Sequence, residues 1–275
     1  MKINLLIILL ALGFIGCKEN AKQTEDKKDW AFATKIQLPQ KTRPLAIVKT
    51  NGHFWVSDPE NLRVLKIDSI GNVLDSIGNL KRPMNIDYNE DTLYIPEFLT
   101  DSLWSYASGS KNYLDIKYKP DAPSGITVKG DTLALADFYN HTIFLKINED
   151  TLSIGKEGHA KGELYYPTDI KVDLGKIYVA DAYNNRIQVF DLKGNSLATI
   201  GEKDGLKVAS AISIYKNQLA VTDQENNRVL IYNKQGDLIQ IIKENILYPT
   251  DVLLTDTNLY VANFKENTIS IFRYE

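Results

Sequence analysis

Asn85, Asp169 and Asp251 carry oxygen at equivalent places, each standing two residues after a proline: Pro83, Pro167 and Pro249. Brought to one point together with water, such side chains would hold a hard cation, which takes roughly six to eight oxygen ligands in the case of calcium. The same residues also suit a quieter role, accepting hydrogen bonds at the start of a strand. The elements that carry them decide between the two. Histidine chemistry has less to work with. His53, His141 and His159 are the three histidines, and they are too dispersed along the chain to supply a three-histidine zinc site. Gly155, Gly158 and Gly162 make a glycine-rich stretch, but no Lys-Ser or Lys-Thr follows them. Their spacing fits neither nucleotide fingerprint, and a wide turn is expected there.

The positioning elements come from an internal repeat. The stretch "ADAYNNRIQVFDLKG" (Ala180 to Gly194) is echoed by "TDQENNRVLIYNKQG" from Thr222 and by "SDPENLRVLKIDSIG" from Ser57. Aligned on the polar anchor there are six copies: Asp58, Glu97, Asp137, Asp181, Asp223 and Asn263. Two residues before each anchor stands Val, Ile or Leu, and six residues after each stands Val, Leu or Ile. Arg63, Arg186 and Arg228 follow three of the anchors at the fifth position. A period near 40 with strand-like alternation on both flanks predicts one four-stranded propeller blade per copy. A carboxylate recurring at equivalent strand ends suits backbone N–H groups of the following turn better than it suits catalysis.

After Asn263 only twelve residues remain, enough for a third strand and not a fourth. The segment "AFATKIQL", Ala31 to Leu38, alternates with Phe32, Thr34, Ile36 and Leu38 on one face. Pairing it with Ile269–Tyr274 would complete the sixth blade and leave no free edge. The expected fold is therefore all-β: a six-bladed β-propeller of four-stranded blades, residues 30–275, closed by its N-terminal strand. Asn85, Asp169 and Asp251 then fall on the innermost strands of blades two, four and six. The turns after the anchors and the blade-to-blade loops would open on one face of the disc. There they would bring Phe98, Phe138, Tyr139, Tyr183 and Phe264 together with Tyr165, Tyr166 and Tyr248, a surface suited to recognition.

"GKEGHAKGELYYPTDIKV…IYVADAYNNRIQVFDLKG" resembles an NHL repeat in its Gly-rich lead-in, its Pro before the inner strand and its V-A-D…N-x-R-I core. The resemblance covers residues 31–275, weakest in the second copy, and implies a rigid disc presenting loops to a partner. Some NHL-like propellers are zinc lyases with histidines lining the channel. Here Leu45, Met84, Ser124, Thr168 and Thr250 follow the inner-strand prolines, so that activity is not expected. Six-bladed calcium-dependent lactonases resemble the Asn85, Asp169 and Asp251 arrangement more closely.

Lys2 and the apolar run from Ile3 to Ile15 fit a secretory signal too short to span a bilayer. The run ends in "FIGC", which resembles a bacterial lipoprotein signal, and Cys17 is the single cysteine of the chain. The reading is a signal peptide over 1–16, a lipidated tether over 17–29 beginning at Cys17, and the propeller beyond. Residues 18–29 hold no apolar residue larger than Ala. The 275-residue chain carries a formal net charge of -3, which gives no reason to expect nucleic acid. The expected function is a lipid-anchored propeller of the bacterial cell envelope, periplasmic or surface-exposed, that binds a protein, peptide or carbohydrate. It needs no cofactor. The alternative is a calcium-dependent hydrolase or lactonase working at the channel mouth.

Overall fold

The computed structural model describes residues 29–275. The expected signal peptide, Cys17 and all of the tether except Asp29 lie outside the described residues. Among the described residues no helix is long and apolar enough to cross a membrane.

Short runs of Val, Ile, Leu and aromatic residues, broken by Gly, Asn and Asp turns, form strands because branched and aromatic side chains pack well on a pleated surface. Twenty-four strands make six antiparallel four-stranded sheets. Within each blade the strands run in sequence from the channel outward; blade four, for example, comprises Pro167–Asp173, Lys176–Asp181, Arg186–Asp191 and Ser196–Ile200. Blade six is the exception, with the order Trp30–Gln37, Thr268–Tyr274, Asn258–Asn263 and Pro249–Leu254 from rim to channel. Second strands such as Phe54–Asp58 are buried throughout, whereas the rim strand Ser110–Tyr113 is exposed throughout. The core lies between blades. Tyr178, Ile187 and Val189 of blade four interlock with Ile212, Leu219 and Tyr232 of blade five, and the other junctions repeat the pattern.

The N-terminal strand closes the ring as expected, pairing antiparallel from Trp30 opposite Tyr274 to Gln37 opposite Thr268. Its alternation differs from the simple expectation. A β-bulge between Phe32 and Thr34 adds a residue and reverses which face looks inward. Phe32 and Thr34 are exposed, Ile36 and Leu38 pack toward blade one, and Trp30 packs toward blade five.

Blade two departs from the others because of Pro96, which sits inside the second strand Thr92–Glu97. Proline has no N–H to give the innermost strand. In blade two the pairing of Pro83 with Glu97 is therefore an isolated bridge and the ladder resumes only at Asp87, whereas in blade four it runs on from Pro167. Asn85 is released and instead bridges to Gly125 of blade three.

Candidate functional site

Asn85, Asp169 and Asp251 do occupy one layer of the channel, and all three are buried. Each has a job in holding neighbouring blades together. Asp251 accepts the Ile47 N–H of blade one at 2.7 Å and its neighbour Val252 N–H at 2.8 Å. Asp169 accepts the Ile212 N–H of blade five at 2.9 Å, and its other oxygen receives the Lys171 ammonium at 2.8 Å. The Asn85 amide donates to the Thr168 carbonyl, two blades away, at 2.9 Å. Gly125 lies between them because a Cβ there would come within 2.8 Å of that same Thr168 carbonyl oxygen. Asn85 Oδ1 is enclosed without a hydrogen-bond partner.

One layer further along stand Asp87 and Lys171, which the sequence reading passed over. Each is two residues beyond a candidate, Asn85 and Asp169, and period-2 alternation returns both to the channel side. Asp87 accepts the Val128 N–H of blade three at 2.7 Å. Burial alone would lower the Lys171 ammonium, but Asp169, Asp251 and Asp87 outweigh it and hold the group above its ordinary range. Burial, then the charge of Asp169, pushes the Asp251 carboxyl up to about 7 despite Lys171. Burial raises Asp87 as well. Three carboxylates thus share one ammonium.

Nearer the face where the inner strands begin, hydroxyls tie the ring together. Ser57, Ser124, Thr168, Ser210 and Thr250 donate to the carbonyls of Pro83, Pro167, Ala209, Pro249 and Pro44, each in the next blade, at 2.7–3.3 Å. At the remaining junction, two to three, the Asn85 N–H donates to the Ser124 carbonyl at 3.1 Å. Ser124, Thr168 and Thr250 directly follow inner-strand prolines and Ser210 takes the same place after Ala209, whereas Ser57 belongs to the second strand of blade one; all five are latches.

The repeated anchors are structural, with one correction to the expected partner. Each anchor accepts a backbone N–H from the loop that precedes its inner strand, not from the turn that follows the anchor. Lys81 donates to Glu97, Asp121 to Asp137, Tyr165 to Asp181, Lys207 to Asp223 and Leu247 to Asn263, while Arg43 donates to Asp58. The following turn contributes side chains: Asn61, Asn140, Asn184 and Asn226 donate to four of the carboxylates. Arg63, Arg186 and Arg228 complete three of them through Nε at 2.9, 2.9 and 2.6 Å.

The loops after the anchors and between blades share one face, and on it Phe98, Phe138, Tyr139, Tyr165, Tyr166 and Tyr183 form one connected cluster across blades two to four. Phe138 is its hub, with ring centroids 5.5 Å from Phe98, 5.1 Å from Tyr139, 4.8 Å from Tyr166 and 6.4 Å from Tyr183. Tyr139 is 51% and Tyr183 53% exposed, which makes them the surface of the cluster. The Arg82 guanidinium lies over Phe98 at 5.0 Å. Phe264 does not join; it pairs with Tyr248 at 6.1 Å on the far side of the ring. The histidines are less scattered than their sequence positions imply. His141 stacks on Tyr165 at 5.4 Å and His159 approaches the same ring at 4.9 Å. Among the described residues no group of three or more His, Cys, Asp or Glu side chains is placed to hold a metal ion.

Residues 164–190, which run from the loop before blade four through its third strand, match the model of the NHL repeat. Blade four carries an NHL repeat. A 48-residue stretch is 50% identical to Protein lin-41 of Caenorhabditis elegans, which is 17% of this chain and only 4% of that protein. Among solved structures the propeller is similar to a streptogramin B lyase, with a TM-score of 0.66, 11% identity, and 88% of this chain and 97% of that one covered. It is similar too to a catalytically inactive virginiamycin B lyase from Staphylococcus aureus with quinupristin, with a TM-score of 0.66 and 14% identity over 90% of this chain and 88% of that one. At such identities the likeness shows the propeller fold and carries no activity with it.

Proposed function

We propose that this chain is a lipid-anchored binding propeller of the bacterial cell envelope, and that the NHL-bearing face around Phe138 is where it meets a protein, peptide or carbohydrate partner. The observation that carries the reading is the connected aromatic cluster with Tyr139 and Tyr183 about half exposed at its surface. Tyrosines held by neighbouring rings offer large contact area with little entropy left to lose on binding. Export through a lipoprotein signal would present that face outside the cytoplasm.

A photo-crosslinking amino acid at position 183 tests this in cells expressing the full chain. The control is the same residue at Leu174, which is 84% exposed in an inner-strand turn on the opposite face. A specific adduct from position 183 alone is expected. No adduct at either 139 or 183, or an equal one from 174, would overturn the reading.

The calcium-dependent hydrolase has one observation in its favour, the enclosed and unpartnered Asn85 Oδ1. The rest of the donor set does not fit. Both oxygens of Asp169 and of Asp251 already accept hydrogen bonds, and Lys171 supplies the positive charge that a cation would bring. A single uncommitted side-chain oxygen falls well short of the roughly six to eight that calcium takes.

A further inference from the structure

On the face opposite the aromatic cluster, a cleft of about 820 Å³ opens between blades one and two and extends past the end of blade one to Leu253 and Thr255 of blade six, within the usual range for small-molecule sites. At the other junctions the packed side chains are aliphatic and aromatic, with Tyr178 and Tyr232 between blades four and five and Phe54 and Tyr260 between blades six and one. Here Trp55, Lys66, Tyr88 and Tyr106 line it, with Lys49 and His53 at the turn between the first two strands of blade one.

The donors and acceptors of this cleft are unequal. Its carboxylates are already engaged by neutral donors: Asp91 accepts the Tyr88 hydroxyl at 2.9 Å, and Asp75, opposite Lys66 in the strand ladder, accepts the Ser76 N–H at 2.7 Å and neighbours the Tyr106 hydroxyl. Its donors are not. The Lys66 ammonium pairs with no carboxylate among the described residues and rests 5.6 Å over the Trp55 ring. Lys49 spends one donor on the Tyr260 hydroxyl at 3.0 Å, which leaves two. Trp55 lines the cleft and is 5% exposed, yet its indole N–H has no acceptor among the described residues. A buried tryptophan ordinarily finds a partner for that N–H. The imidazole of His53, which also lines the cleft, makes no hydrogen bond among the described residues. Unspent donors, two of them cationic, above an edge-to-face Trp55–Tyr106 pair at 5.8 Å, define the complementary ligand.

We propose that the cleft between blades one and two binds a small planar aromatic molecule bearing an anionic group, a carboxylate or a phosphate. The ring would lie against Trp55 and Tyr106. The anion would take the Lys49 and Lys66 ammoniums, and charge-assisted hydrogen bonds of this kind are the strong ones.

Titration calorimetry and tryptophan fluorescence with 2-naphthoate, 2-naphthyl phosphate and the neutral 2-naphthamide test the proposal on the full chain. Quenching and saturable binding by at least one of the anions are expected, with the amide at least tenfold weaker; the better anion identifies the group the cleft prefers. Lys66→Gln and Lys49→Gln should each weaken the anion about tenfold and leave the amide unchanged, while Leu174→Ala, in an exposed turn of blade four, should change nothing. If Lys66→Gln unfolds the chain, Lys49→Gln alone decides. No binding by either anion, equal binding by the amide, or indifference to the lysine substitutions would overturn the proposal.

Discussion

At the scale of single residues, the anchors and the channel carboxylates show how one residue type takes two environments. Asp181 is fully buried, and Arg186, 5% exposed, has no other complete counter-charge within the fold, because Glu202 is half exposed. Asp181→Ala would leave a buried guanidinium uncompensated. It is expected to cost about 3–5 kcal/mol in urea unfolding. Asp58→Ala should cost less, about 1–3 kcal/mol, because the Arg63 side chain is 30% exposed and can turn to water. Equal losses would show that burial of the arginine is not the deciding term. In the channel the sign runs the other way. Asp251 titrates higher folded than unfolded, so between pH 4 and about 7 the unfolded chain releases a proton that the folded chain keeps. Stability from this group therefore falls as pH rises through that window and is level above it. Asp87, also raised, adds a term of the same sign. Lys171, raised by its three carboxylates, contributes stability that is lost only at alkaline pH. Asp251→Asn should give a visibly shallower decline between pH 5 and 7, read as the slope of unfolding free energy; an unchanged slope would assign the titration to another group.

Among the elements, the N-terminal strand has the largest consequence for its size. Trp30 is 5% exposed, packs at a tilt against Tyr274 with ring centroids 5.0 Å apart, and donates from its indole to Gln218 of blade five at 3.1 Å. The Gln240 side chain clasps its backbone on both sides, at 2.8 and 2.9 Å. One strand thus pairs within blade six and is latched to blade five. Trp30→Ala is expected to cost about 3–5 kcal/mol while leaving the strand paired. Deleting residues 30–38 should do something different in kind, exposing the long edge Thr268–Tyr274 and causing aggregation as well as a lower melting temperature. A soluble deletion variant that melts with the full chain would show that closure does not depend on this strand.

At the scale of the molecule, the disc has two faces with different chemistry. One carries the aromatic cluster and the other the donor-rich cleft of blades one and two, with the latched channel between them. Anchoring through Cys17 would hold both outside the cytoplasm, since the several acyl chains of a lipoprotein exceed what one chain can hold reversibly. Cys17→Ser is expected to move the protein from the membrane fraction to the soluble one and to leave its melting temperature unaltered. Retention in the membrane with normal processing would remove the lipoprotein reading.

The repeat of Asp58, Glu97, Asp137, Asp181, Asp223 and Asn263 was enough to count the blades, and the twelve residues after Asn263 were enough to show that the last one borrows a strand. Both follow from local rules: strand alternation has period two and blade length is set by turn positions, so they are written along the chain. The common layer of Asn85, Asp169 and Asp251 was legible for the same reason. The partners of those residues were not. Ile212 lies 43 residues from Asp169 and Ile47 lies 204 residues from Asp251, and only closure of the ring brings them within hydrogen-bond distance. The shift of Trp30 and Phe32 to the other face needed a bulge, and Pro96 freed Asn85 by withholding one N–H; neither is a matter of periodicity. The cleft is the extreme case. It exists because Trp55 and Lys66 of blade one face Tyr106 of blade two, and which side chains meet across a junction is decided by the angle at which two twisted sheets pack.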